Sequence, residues 1–269
     1  MRILMVTSEA TPFAKSGGLA DAVSALSRAL GRLGHDVRIV MPRYASVPSD
    51  GLERHTTGLT AAMGYGPVGA GLLEGSLPDS DVPVYFIEHD AFFGRDGIYG
   101  NKAEPDFADN PLRFSFLSRI AFRLCEYLDW RPDVFHAHDW PGGLVPAYLT
   151  HAEPGFRGAI SVLTIHNLGY QGVYPKAHFP FFGLPWDLFH GAGFEYYDAI
   201  NMLKAGITGA DRLSTVSPTY SREIQTPDLG HGLDGLLRHR SASLVGILNG
   251  VDSSEWDPAT DRLLPARYS

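Results

Sequence analysis

Ile3-Leu4-Met5-Val6 leads into Ala10-Thr11-Pro12-Phe13-Ala14-Lys15-Ser16-Gly17-Gly18, after which Leu19, Val23, Leu26, Leu30 and Leu33 recur up to Gly34, and Val37-Arg38-Ile39-Val40-Met41 follows. A short unbroken apolar run suits a strand covered on both faces of a parallel sheet. Apolar residues at alternating steps of four and three predict an amphipathic helix over 19–33. Gly34 ends it, and the second apolar run returns as a strand. Strand, glycine loop, helix, glycine, strand is the opening βαβ unit of a doubly wound α/β fold.

The pattern continues outward from that unit. Residues 54–90 are short segments separated by Gly64, Gly66, Gly69, Gly71 and Gly75, which predicts a β-hairpin insertion ending in a strand at Val82–Glu88. From Asp109 a helix is expected, with Asn110 as its cap, Pro111 in its first turn, and Leu117, Ile120, Ala121, Leu124 and Leu128 on one face. Three βα units follow. They are a strand at Asp133–Ala137 with a helix over 141–151, a strand at Ile160–Ile165 with a long aromatic loop, and a strand at Arg212–Val216 entering a helix at Ser217-Pro218. Leu244–Leu248 supplies a last strand. The expected whole is a Rossmann-like, doubly wound, mostly parallel sheet over 1–250. The segment 251–269, which holds Pro258 and Pro265 and lacks periodicity, reads as a linker.

Composition narrows the function classes. The chain has 269 residues, 44% of them hydrophobic, enough to bury a core without staples. A formal charge of −8 opposes general attraction to nucleic acid or anionic membranes. The single cysteine, Cys125, excludes an intrachain disulfide and, inside an apolar helical stretch, reads as a buried inert thiol. No run of about 18 apolar residues offers a membrane span. Thr7-Ser8-Glu9 interrupts the first apolar run too early for a signal peptide, so a cytoplasmic location is expected.

Four clusters could carry chemistry, each at the carboxyl end of an expected strand, where open α/β sheets bind ligands. In Lys15-Ser16-Gly17-Gly18 the glycines let a ligand approach main-chain amides at a helix start, and Lys15 adds a mobile cation. The loop is either a diphosphate cradle or a glycine turn with a solvated lysine, and it matches neither the dinucleotide fingerprint nor the P-loop. In His136-Ala137-His138-Asp139-Trp140 the two imidazoles face the same way. Without a second ligand cluster, a structural histidine beside a polar contact to substrate is the better reading than a metal site. Thr164-Ile165-His166-Asn167-Leu168-Gly169-Tyr170-Gln171-Gly172 offers an imidazole and a carboxamide suited to sugar hydroxyls, or a simple turn. Asn249-Gly250-Val251-Asp252 is a turn whose Asn249 could line a cleft. No Gly-x-Ser-x-Gly elbow occurs, which disfavours acyl-transfer hydrolysis.

These segments, with Leu203-Lys204-Ala205-Gly206 and Thr215-Val216-Ser217-Pro218-Thr219-Tyr220, resemble in order and spacing the motifs of bacterial glycogen synthases and plant starch synthases. The resemblance implies one half of a GT-B fold, two Rossmann-like domains facing across a cleft. It implies glucose transfer from ADP-glucose (UDP-glucose in some relatives) to the non-reducing end of an α-1,4-glucan such as glycogen, with retention and without a metal or other cofactor. By the same resemblance Lys15, Gly17 and Gly18 contact the donor diphosphate, and Asp21, Asp139, His166, Asn167 and Asn249 line the cleft. His166 and Asp139 are nearest the chemistry, and Tyr99 in Gly97-Ile98-Tyr99-Gly100 approaches the same pocket. The family's second domain carries further diphosphate and sugar ligands, so this chain alone is expected to transfer little glucose. It is also expected to expose an apolar patch where a returning helix packs. A non-catalytic sugar-nucleotide or glucan-binding module, or another GT-B transferase, is the alternative.

Overall fold

The structure is a computed structural model and describes residues 1–250 and 257–269. The expected turn at Val251-Asp252 and the first part of the expected linker lie outside the described residues.

The opening unit is β1 (Arg2–Val6), α1 (Gly18–Arg32) and β2 (Asp36–Pro42). The insertion is a long hairpin, β3 (Glu53–Met63) and β4 (Gly66–Ser76), followed by β5 (Pro83–Glu88) and the single turn α2 (Asp90–Phe93). Then come α3 (Asn110–Tyr127), β6 (Val134–His138), α4 (Val145–His151) and β7 (Ile160–Ile165). The aromatic loop holds β8 (Val173–Pro175), β9 (Glu195–Tyr196) and β10 (Ala199–Asn201), and α5 (Met202–Gly209) follows. The chain continues through β11 (Arg212–Thr215), α6 (Pro218–Glu223), α7 (Asp234–His239) and β12 (Leu244–Gly246).

The main sheet runs β12-β11-β7-β6-β1-β2-β5-β4-β3, and β8, β10 and β9 form a small second sheet. Pairing is parallel from β12 to β5, and the hairpin adds the antiparallel edge. Strand order reverses at β1, with β2 on one side and β6 on the other. Right-handed crossovers therefore send α1 to one face and α3, α4 and α5 to the other, where α4 packs on α3 and α5. Such a reversal opens a crevice at the carboxyl ends of the strands.

The core is strongly aromatic on the α3 side. Phe114, Phe116, Phe122 and Phe135 are fully buried, and Phe122 lies 4.5 Å from Phe135 between ring centroids. Arg113 is also fully buried. It donates to the carbonyls of Phe92 (2.6 Å) and Ile98 (2.9 Å), tying down the segment that precedes α3. Cys125 is buried within α3, and burial pushes its thiol up to about 12, which makes it unreactive.

Several local expectations are corrected. Asp109 holds the cap position of α3, and Asn110 lies inside the helix, its amide donating to Tyr99 O (2.8 Å) and Asp106 (2.7 Å). The helix expected over 141–151 begins only at Val145, because Trp140–Gly142 form a 3-10 turn. There Gly143 packs so closely that a Cβ would sit 2.4 Å from Met202 O. Leu33 and Leu26 are both exposed, hence α1 buries Leu19, Ala20, Val23, Ser24 and Ser27 instead of the full leucine stripe. The last strand ends at Gly246, earlier than expected.

Candidate functional site

The ends of β1, β6, β7 and β11 converge on one crevice. At the end of β1, Glu9 is buried and accepts hydrogen bonds from the Ser16 amide, Ser16 Oγ (2.8 Å) and Tyr99 OH (2.6 Å). Ser8 Oγ also meets Tyr99 OH at 2.7 Å. One carboxylate thus joins the glycine loop to the loop that bears Tyr99. Burial first, then the neighbouring Glu9 charge, raises the Tyr99 phenol well above its ordinary range, so it stays a neutral donor.

The glycine loop enters α1 without a side-chain cap, because Gly17 at the cap position has none to offer. A Cβ built on Gly17 or Gly18 meets nothing within 4 Å. The backbone at Gly17 and Gly18 therefore borders open space at the positive end of a 15-residue helix. Lys15 Nζ lies 2.6 Å from Asp21 Oδ2, and Thr11 Oγ1 donates to Asp21 Oδ1 at 2.8 Å. Partial burial works to raise the Asp21 carboxyl, but the hydrogen bonds from Lys15 and Thr11 outweigh it and hold it below its ordinary value. Lys15 and Asp21 are thus one unit, and the ammonium stands beside the helix start.

The second half of the site comes from β6 and β7. Register pairs His138 with Thr164, which brings His166, two residues on, beside it. His138 Nδ1 lies 3.1 Å from His166 Nε2, and the His136 and His138 rings stack at 4.3 Å. His136 Nε2 meets Thr164 Oγ1 at 2.6 Å, and Thr164 Oγ1 meets Ser214 Oγ at 2.6 Å. Burial holds all three imidazoles neutral. His136 and His166 fall to about 4, and His138 lies well below its ordinary value, with the neighbouring rings adding to the effect for His136 and His138.

Asp139 sits at the turn where β6 ends, with φ +51°, a conformation that side-chain-bearing residues rarely adopt. Its Oδ1 accepts the amides of His166 (2.7 Å) and Asn167 (3.3 Å). Burial raises the carboxyl to about 7 despite those two amides, which pull it down. Asp139 therefore builds the His166 turn from the end of β6. Asn167 Oδ1 accepts the Gly169 amide at 2.9 Å, so its NH2 is the group suited to serve a ligand. Asn249 is among the residues bordering a groove of about 540 Å³ between α1 and β7, β11 and β12. The groove has walls of Ala25, Leu26, Ala29 and Val245 over a polar floor of His136, Thr164 and Ser214.

The structure thus groups Lys15, Gly17, Gly18 and Asp21 at one end, and Asp139, His166 and Asn167 at the other, with Tyr99 reached through Glu9. Sequence reading missed two members. Glu9 looked only like the polar end of an apolar run, and Tyr220 looked only like the close of a motif, although its hydroxyl accepts the Leu168 amide at 2.9 Å. Among the described residues no group of three or more His, Cys, Asp or Glu is arranged to hold a metal ion, and no helix is long and apolar enough to cross a membrane.

Residues 2–239 match the family model of the starch synthase catalytic domain. The chain is 52% identical over its whole length to a glycogen synthase of Treponema denticola and 49% identical to one of Anaeromyxobacter sp.. It spans only 55% and 56% of those two proteins. Among solved structures, the catalytic domain of starch synthase IV from Arabidopsis thaliana, bound to ADP and acarbose, superposes with a TM-score of 0.87 at 32% identity. The match covers 99% of this chain and 55% of that one.

Proposed function

The chain belongs to the starch synthase catalytic domain family, and from that premise we propose that it is the N-terminal half of a retaining GT-B glucosyltransferase. It transfers glucose from ADP-glucose to the non-reducing end of an α-1,4-glucan such as glycogen. The single observation that carries this reading is the uncapped, open start of α1 with the Lys15 ammonium beside it. Such a place favours a diphosphate over any neutral ligand.

The chemistry follows from charge separation. As the glycosidic bond breaks, the sugar becomes oxocarbenium-like and the departing diphosphate gains negative charge. Amides of α1 and the Lys15 ammonium stabilise the leaving group, and they are in place before the bond breaks. At the sugar end, a neutral His166 presents hydrogen-bonding nitrogen without a repelling positive charge, and the Asn167 NH2 can donate to a hydroxyl. Asp139 accepts the amides of His166 and Asn167 and so sets the turn that carries both groups. The starch synthase neighbour was solved with ADP and acarbose, which supports a nucleotide-sugar donor and a glucan acceptor for this chain.

In the whole protein a second Rossmann-like domain would close the crevice from the other side. The groove beside α1 would receive a helix returning from it, and the setting would be the cytoplasm. The test is transfer from ADP-glucose to glycogen by the whole protein. Release of ADP with an α-linked product is expected. A β-linked product, or hydrolysis without transfer, would overturn the assignment.

A further inference from the structure

The turn after β7 leaves the sheet without forming a helix, yet four successive amides along it are satisfied by side-chain oxygens. His166 and Asn167 donate to Asp139 Oδ1, Leu168 donates to Tyr220 OH at 2.9 Å, and Gly169 donates to Asn167 Oδ1. The Asn167–Gly169 bond is local, but the holds on 166, 167 and 168 come from elsewhere in the chain. Asp139 reaches the turn from the end of β6, and Tyr220 reaches it from α6.

The Tyr220 ring is held by packing against the hydrophobic core. Ser217 caps α6 by accepting the Tyr220 amide at 2.9 Å, and two residues back Thr215 Oγ1 donates to Ile165 O at 2.7 Å. The end of β7 is therefore fastened to β11 and α6 at two points, one on each side of His166. Leu168 is fully buried, so its amide cannot swing out to water without moving the side chain. The His166 ring, in turn, meets its partner His138 only if the main chain leaves β7 in this direction.

We propose that Tyr220 is a positioning residue for the sugar end of the site: its hydroxyl, by holding the Leu168 amide, sets the path of the turn and hence the placement of His166. This rests on the glucosyltransferase reading above. It also predicts a division within the site, because the Tyr220 hydroxyl holds the turn at the sugar end, whereas the glycine loop that faces the diphosphate is held by Glu9.

Tyr220→Phe keeps the packed ring and deletes only the acceptor. In the whole protein it should lower kcat for transfer from ADP-glucose roughly tenfold or more, since a displacement of about 1 Å in a reacting group can cost a hundredfold. Inhibition by ADP, which lacks the sugar, should stay within about twofold of wild type. Ser217→Ala loosens α6 without touching the hydroxyl, so it should lower Tm yet keep kcat within about twofold. In this chain by itself, the His166 imidazole NMR signals should shift in Tyr220→Phe and stay in place in Ser217→Ala. Retention of kcat by Tyr220→Phe, an equal loss of ADP affinity, or unmoved His166 signals would each overturn the proposal. A folded wild type that transfers no glucose would instead sink the glucosyltransferase reading, and the NMR comparison would still judge Tyr220 separately.

Discussion

Gly18→Ala separates folding from ligand binding at the start of α1. The added methyl meets no protein atom within 4 Å. Gly18 is the first helical residue, where alanine is favoured over glycine by at most roughly 0.5–1 kcal/mol. Stability should therefore hold or rise slightly. Binding should behave in the opposite way. A phosphate oxygen accepting from these amides comes to about 2.9 Å of nitrogen, and a methyl on the same residue crowds that approach. Losing one charge-assisted hydrogen bond costs about 1.5–3 kcal/mol, which is roughly ten- to hundredfold in affinity. Scanning calorimetry and ADP-glucose titration on the whole protein measure the two effects side by side. Unchanged affinity in a stable variant would refute the claim that glycine is present for close approach. A large fall in Tm would refute the claim that the space is open.

Lys15→Ala should weaken ADP-glucose binding roughly tenfold while costing less than about 1 kcal/mol of stability, because its pair with Asp21 is half exposed and screened. Urea unfolding and titration check both parts. The buried titrating groups predict opposing pH limbs. His136 and His166 have folded values near 4, below their unfolded ones, so their contribution is lost as pH falls from about 6.5 towards 4. Asp139 has a folded value near 7, above its unfolded one, so its contribution is present in acid and lost as pH rises through about 7. Asp139→Asn removes the opposing contribution, so it should steepen the rise in stability between about pH 4 and 6.5 in a stability–pH series, and an unchanged slope there would argue against a buried, reluctant carboxylate. The 269-residue chain expressed alone should transfer glucose on the order of a hundredfold more slowly than the whole protein. Comparable turnover would show that this half holds the complete machinery.

Much of the fold was legible because its signals are local. The apolar runs of β1, β2 and β7 and the 3.6-residue period of α1 report burial at neighbouring positions, and Ser217-Pro218 reports a helix start that the structure shows capped by Ser217. The helix α5 escaped because eight residues containing two glycines carry too little periodicity. The small sheet of β8, β9 and β10 escaped because strands of two and three residues are held by their partners, and local preference contributes little to them.

The sequence by itself determined which residues stand at strand ends, since the order of strands, glycine loops and helices is written in short-range patterning. Only the tertiary structure decided who meets whom there. Glu9 reaches Tyr99 across 90 positions, His138 reaches His166 across 28, and Tyr220 reaches Leu168 across 52. Those distances close because parallel pairing aligns β6 with β7 and β7 with β11 in one register, and register is set by the packing of both sheet faces together.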